Sequence, residues 1–436
     1  MSVAARELVA TINGKEVGVL RDEANTWSFE YAREWMSSAA AFDLAPNLPR
    51  AAGKILDGGT VRPVQWFFDN LLPEERARDI LASEANIQST DAFGLLAYYG
   101  KESAGAITLQ ARGEAPGESG YIPLRDRELH ERISKLPRQS LAAGAPKHMS
   151  IAGAQHKLAV CIRAGELFHP TGNAPSTHLL KPDHIDTDSW PNTVANEYFI
   201  MRLARELGLP VPPVQIRYVP DPVYLIERFD REESDKETRR LHIIDACQLL
   251  GLDRTFKYQQ SKVENLVRCI DLCSSPARSR QSILAWVLFN LLTGNADAHL
   301  KNLSFRVSPT GIELAPFYDL VSTECYRAEL GNHPRWPDRE LGLQVGAART
   351  FAAVTSDDFH AFAGQLGVNR RATSRLLTQF TATLDQAAQR LYAELETIEV
   401  PQPIVRAGQL RVLRSIRCIV IHDMLARLGR SPSILK

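Results

Sequence analysis

Apolar and polar positions alternate early in the chain, and the period lengthens later. Glu16-Val-Gly-Val-Leu20 and Trp27-Ser-Phe-Glu-Tyr31 read as short strands joined by polar connections. Val64–Leu72 and Arg76–Ser83 read as helices, broken at Pro73 because proline has no N–H to continue the ladder. Ala111–Pro123 is rich in Gly, Pro and Glu and is expected to be a linker. Lys157–Arg163 and His178–Lys181 return to strand character, with Ala164-Gly165 turning the first. Over Thr193–Leu207 the apolar residues Val194, Ile200, Leu203, Ala204 and Leu207 recur at three-to-four spacing, and Gly208 with Pro210 ends the predicted helix. Val214–Tyr218 and Tyr224–Phe229 read as strands. From Arg239 the expectation is mostly helix, including Ser282–Leu292, Asp357–Leu366, Arg371–Leu395 and Gln409–Leu428. The loop-rich stretch Gly294–Leu320 interrupts it and holds most of the polar chemistry.

This succession predicts an α+β chain with two lobes. A β-rich N-terminal part with an extra subdomain precedes a mostly helical C-terminal lobe, with expected divisions at 1–112, 113–229 and 230–436. At 436 residues the chain exceeds what one core usually supports. Its 44% hydrophobic and 23% charged content excludes a disordered or collagenous protein. With 51 basic and 51 acidic residues the net charge is zero, which argues against a protein that grips nucleic acid chiefly by itself. Only Pro401–Lys436 is locally basic; it reads as a solvated helix face or as a contact with a partner or the partner's DNA. The apolar run Ile283–Leu292 is about half a membrane span, and no Cys-x-x-Cys pair marks a zinc ribbon. No apolar signal core stands at the N-terminus, so a cytoplasmic protein without membrane contact is expected.

The chemistry concentrates in Thr293-Gly-Asn-Ala-Asp-Ala-His-Leu-Lys-Asn302, directly after the most apolar helix. Asp297 and Asn302 lie five positions apart, the interval at which protein kinases place the acid that receives the hydroxyl proton and the amide that holds magnesium. A predicted hairpin over Ser304–Val307 and Glu313–Ala315 leads to Pro316-Phe-Tyr-Asp-Leu320, so Asp319 is the second expected magnesium ligand. Lys181, at a strand end, is the cation expected on ATP phosphates, and Glu197 on the following helix is its expected support. Ser150-Ile-Ala-Gly-Ala-Gln-His-Lys157 offers small residues whose backbone N–H groups can approach phosphate, although it has a single glycine. The backbone of Glu227 and Phe229, in Tyr224-Leu-Ile-Glu-Arg-Phe-Asp230, is expected along an adenine edge.

With these motifs the chain resembles the HipA family, serine/threonine-kinase toxins of bacterial type II toxin–antitoxin systems. Phe67-Phe-Asp-Asn-Leu-Leu-Pro73, Gly105-Ala-Ile-Thr-Leu109, Ser150–Gln155, Glu227-Arg-Phe-Asp-Arg231, Gly294–Asn302 and Pro316–Asp319 carry the resemblance. It implies a HipA-like kinase fold with Asp297 as catalytic base and Asn302 and Asp319 on Mg2+. It places Lys181, His299, Lys301 and the loop residues Ile151, Ala152, Gly153, Ala154, Gln155 and Lys157 at ATP. It further implies autophosphorylation at Ser150, which switches the kinase off. Its implied partners are a HipB-like helix-turn-helix antitoxin, operator DNA mainly through that antitoxin, and a protein substrate of the aminoacyl-tRNA synthetase class. The sequence departs from ordinary kinases where Leu320 and Val321 replace Phe-Gly after the metal aspartate, and where His299 takes the place of a lysine. A small-molecule phosphotransferase and a non-catalytic corepressor are the alternative readings.

Overall fold

The structure is a computed structural model that describes residues 5–114, 117–149, 151–234, 237–327 and 336–429; Ser150 lies outside them. The chain forms two compact units that are discontinuous in sequence. Met1–Pro182, Leu225–Phe256 and Ser304–Ala315 make the first; Asp183–Tyr224, Lys257–Leu303 and Pro316–Lys436 make the second.

The first unit contains an antiparallel sheet of β1 (Arg6–Ile12), β2 (Lys15–Glu23), β3 (Thr26–Tyr31), β4 (Lys54–Leu56) and β5 (Ile107–Gln110), in the order β4-β3-β2-β1-β5. The alternation in β1 buries Leu8, Ala10 and Ile12 on one face. Helices Pro63–Asp69 and Ala92–Tyr99 supply aromatic residues to this core. Trp27 meets Phe93 edge to face at 5.3 Å, and Phe29 meets Phe68 at 5.5 Å.

A second sheet joins β6 (Gly120–Pro123), β7 (Leu158–Arg163), β8 (Glu166–Thr171) and β9 (His178–Pro182) in the order β6-β8-β7-β9. The expected linker therefore ends in an edge strand. Tyr121 pairs with Pro170 there, and the Arg163 guanidinium sits 3.6 Å from the Tyr121 ring centre. Three further strands, Ile243–Asp245, Ser304–Ser308 and Gly311–Leu314, pair antiparallel in the same unit. The last two form the expected hairpin, with its second strand at Gly311–Leu314 rather than Glu313–Ala315. The first departs from the mostly helical expectation after Arg239, being three residues long, too short to establish a two-residue period.

The second unit is mainly helical, with Thr193–Glu206, Val263–Asp271, Pro276–Leu292, Ser356–Gln365, Arg370–Thr397, Pro403–Ser415 and His422–Leu428. The central helix begins at Pro276 rather than Ser282. Its polar first turns hide it from a hydrophobic reading, while Pro at the first position supplies the right φ. The expected helix Gln409–Leu428 is interrupted by a π-helical stretch, Ile416–Ile421, that buries Ile416, Val420 and Ile421. Among the described residues no helix is long and apolar enough to cross a membrane.

Strand Glu340–Val345 passes so close to the loop after the central helix that a Cβ on Gly342 would sit 2.4 Å from the Ala296 carbonyl oxygen. Backbone cannot yield there as a side-chain tip can. Gly342→Ala is expected to cost about 1–3 kcal/mol through forced shifts. A denaturation midpoint unchanged from wild type would refute that contact.

Candidate active site

The loop carrying Asp297 is built from the end of helix Pro276–Leu292. The Thr293 hydroxyl donates to the Phe289 carbonyl (2.8 Å), and the chain turns at Gly294 (φ 65°). Asn290, the polar residue within the apolar run, donates to the Trp286 carbonyl and accepts from the Asn295 amide at 2.7 Å. The Asn295 side-chain oxygen then accepts from the Asp297 N–H at 3.0 Å. A buried helix thus dictates the backbone position of Asp297 through two asparagines.

The Asp297 side chain keeps 44% of its surface open, although protein atoms crowd most of its surroundings. This burial pushes its carboxyl above the ordinary aspartate range, and the charge of Asp319 pushes the same way. His299, Tyr258 and Lys257 act in the opposite direction. The Tyr258 hydroxyl donates to Asp297 Oδ1, and His299 Nε2 lies 3.8 Å from the same oxygen. Tyr258 and His299 meet edge to face at 4.8 Å. Asn302 Nδ2 donates to the Asp297 carbonyl at 2.8 Å, which orients the amide and leaves its oxygen as the atom suited to a cation. Lys301 is buried, and its carbonyl accepts from the Tyr318 hydroxyl at 2.8 Å.

Asp319 occupies the left-handed region at φ 57°, a conformation aspartate tolerates better than most residues. Phe317 and Leu320, both 1% exposed, anchor the turn around it. Beyond the turn, Ser322 and Asn196 bond reciprocally, N–H to Oδ1 and Nδ2 to carbonyl, each at 2.9 Å. Asn196 precedes Glu197, which is buried beside Tyr224; burial raises the Tyr224 phenol far above its ordinary range, and the charges of Glu197 and Asp319 add to this. The Thr323 hydroxyl accepts from the Ala296 N–H (2.8 Å) and donates to the Gly294 carbonyl (3.2 Å). Within the second unit Asp297, His299 and Asn302 are joined by direct contacts, Lys301 follows in the same loop, and the charge of Asp319 is felt at both Asp297 and Tyr224, the latter beside Glu197.

The remaining expected residues lie in the first unit. Lys181 is the next-to-last residue of β9 and is buried. The last pair of the β7–β9 ladder, Leu158 with Leu180, stands next to Lys157 on one strand and Lys181 on the other. Gln155 Nε2 reaches the Pro182 carbonyl at 3.5 Å, and Lys157 Nζ donates to the Ala152 carbonyl at 2.7 Å. Gly153 has φ 111°; Ile151 is buried, Ala152 half-buried and Ala154 exposed. Glu227 is exposed at a strand end and Phe229 is half-buried.

Tyr258, Thr323 and Asn196 were not singled out from the sequence, and none of them carried a local signal. Asn295 stood out in the polar run after the apolar helix, but without the role of holding Asp297.

Two family models match the chain: the HipA N-terminal domain over residues 8–110 and the HipA-like C-terminal domain over residues 149–388. The second alone spans more than half of the chain. The chain belongs to the HipA family. The serine/threonine-protein kinase toxin HipA of Shewanella oneidensis is 32% identical over 387 residues, 84% of this chain and 84% of that protein. The HipA fold matches as well. In the complex of Shewanella oneidensis HipA with HipB and its operator DNA, a chain superposes with TM-score 0.77 at 27% identity, covering 96% of this chain and 99% of that one.

The two expected metal ligands, Asn302 and Asp319, offer oxygen donors. Among the described residues no three His, Cys, Asp or Glu side chains gather into a metal cage. One amide oxygen and one carboxylate suit a hard cation that keeps waters and shares phosphate oxygens, as Mg2+ does.

Proposed function

We propose that this chain is an ATP- and Mg2+-dependent protein serine/threonine kinase that acts in the cytoplasm as a growth-inhibiting toxin, held in check by a HipB-like antitoxin. The observation that carries the reading is the fixing of Asp297 by Asn295 and Tyr258, with Asn302 hooked onto its carbonyl and the charge of Asp319 near enough to raise its carboxyl. Asp297 takes the proton from a substrate hydroxyl, whose oxygen attacks the γ-phosphorus of ATP as the bond to ADP breaks. The raised basicity of its carboxylate suits that task. Asn302 and Asp319 would hold Mg2+, which supplies charge neutralisation on the phosphates. Lys181, His299, Lys301 and the segment 151–157 take the nucleotide phosphates, with Glu197 in support. The backbone of Glu227 and Phe229 takes the adenine edge. Ser150 is the proposed autophosphorylation site; a phosphate there would repel the nucleotide's own. Operator DNA is reached mainly through the antitoxin, in keeping with zero net charge. An aminoacyl-tRNA synthetase is the proposed class of protein substrate.

Purified protein given γ-labelled ATP and Mg2+ is expected to label itself, and Ser150→Ala is expected to take up much less. Its expression alone should slow bacterial growth, and co-expression of the antitoxin should restore it. Label transferred to a small alcohol but to no protein would replace this reading with a small-molecule phosphotransferase.

A further inference from the structure

Two of the sequence signatures, Phe67–Pro73 and Gly105–Leu109, have no part in the proposed reaction, and neither have Arg228, Asp230 and Arg231. Pro73, Gly105 and these three residues bond at or next to the segments that carry the nucleotide residues of the first unit. At the centre is Glu102, 0% exposed. Its Oε2 accepts from Lys147 Nζ at 2.6 Å and from Arg240 at 2.9 Å. Its Oε1 accepts from the Ser176 hydroxyl (2.8 Å), Arg231 (2.8 Å) and Arg228 (3.2 Å). Arg228 also holds Asp230 through both carboxylate oxygens, at 2.9 and 2.6 Å, and Asp230 accepts from the Gly105 N–H at 2.7 Å. Gly105 has φ 77°, and a Cβ there would lie 2.7 Å from the Ile243 carbonyl oxygen, so this close approach requires glycine.

Three of the five groups that donate to Glu102 stand at the root of a nucleotide segment. Lys147 is three residues before Ser150, Ser176 five before Lys181, and Arg228 one after Glu227. A second tether lies on the far side of Ser150: the Gly153 carbonyl accepts from the Glu74 N–H at 3.4 Å, and Pro73 bridges to Gly153. Both tethers belong to the part matched by the HipA N-terminal domain. We propose that Glu102 is a positioning residue for ATP, one buried carboxylate that holds the phosphate loop, the Lys181 strand and the Glu227 strand end in mutual register. The proposal rests on the kinase reading and gives the N-terminal domain a task in it.

Charge favours this over a purely stabilising role. Two acids, Glu102 and Asp230, face four bases, Lys147, Arg228, Arg231 and Arg240, all buried. Such a set is weak evidence for stability, since desolvation offsets much of the attraction, but it fixes directions that apolar packing would leave free. Of the four cations, Lys147 pulls the Glu102 carboxyl down most and makes the shortest bond to it, 2.6 Å. Burial brings its ammonium down to about 8, against the pull of Glu102 and with Arg240 and Arg231 pushing the same way, while Glu102 itself is held well below the usual carboxylate range.

Lys147→Met leaves three guanidinium groups on Glu102, and Ser176→Ala removes one neutral donor. Each variant is compared with wild type for melting temperature, Kd for Mg2+ with a non-hydrolysable ATP analogue, kcat at saturating ATP, and hydrogen exchange of residues 151–157. Lys147→Met is expected to raise Kd about tenfold, as for a lost charge-assisted hydrogen bond, with kcat within about threefold. Ser176→Ala should move Kd the same way by about threefold, and exchange over 151–157 should quicken in Lys147→Met without nucleotide. Lower melting with Kd and loop exchange as in wild type overturns the proposal. Should Lys147→Met fail to fold, Ser176→Ala decides it. Wild type that binds no nucleotide removes the kinase reading instead, and loop exchange then still tests the positioning role.

Discussion

Asp297→Asn is expected to lower phosphoryl transfer by about 100- to 10,000-fold, the usual worth of a positioned general base. The amide keeps the shape of the carboxylate and can still accept from Tyr258, but it cannot take the hydroxyl proton. The backbone of the loop is held by Asn295, Thr323 and the Asn302 hook, none of which uses the Asp297 carboxylate. Its side chain is also 44% exposed, so the fold does not depend on its charge. The variant should therefore melt within a few degrees of wild type, bind the ATP analogue with unchanged Kd, and lose self-labelling. A variant that labels at the wild-type rate would remove Asp297 from the role of base. One that neither binds nucleotide nor melts cooperatively would show that the substitution had broken the loop.

The parts of this site legible in the sequence were those carried by local contrast. Five polar groups directly after an apolar helix end stand out, and Asp297, Asn302 and Asp319 follow in the order that phosphoryl transfer needs. Helix Thr193–Glu206 was equally plain, because its apolar residues keep the helical period to a glycine stop. What stayed hidden was whatever acts at a distance along the chain. Tyr258 reaches Asp297 across 39 positions, Thr323 reaches Ala296 across 27, and Asn196 reaches Ser322 across 126. No periodicity encodes such pairs, and a lone Tyr or Asn in a polar stretch looks like solvated surface. β1 was missed for a related reason: Arg6 and Glu7 open it with charges, which bond to Asp22 and Asp91, and to Arg21 and Arg112, once folded. The Glu227–Arg231 motif was noticed for its place beside a proposed adenine edge, yet most of its polar groups turn inward to Glu102 and Gly105.

That inward turn sets the largest expected effect on stability. Arg228→Ala strips Asp230 of its two-pronged partner, Glu102 of one cation and the Ser103 carbonyl of a donor at 2.8 Å, all in a site where Arg228 is 5% exposed. Removing one member of a buried ionic set leaves the others desolvated without compensation, which costs about 3–5 kcal/mol. Against a total of roughly 5–15 kcal/mol for a folded domain, that is a large share. The loss should be local to the first unit, since Glu102, Asp230, Ser103 and Ser176 all lie within it. Hydrogen exchange read segment by segment separates the cases, because protection falls about tenfold for each 1.4 kcal/mol lost by a cooperative unit. Peptides covering Leu158–Arg163 and Ile107–Gln110 are expected to exchange roughly 100-fold faster or more, while those of the helix Pro276–Leu292 stay near their wild-type rates. Equal acceleration in both units would mean that they unfold together. No acceleration in either would mean that the five remaining charged groups compensate one another without Arg228.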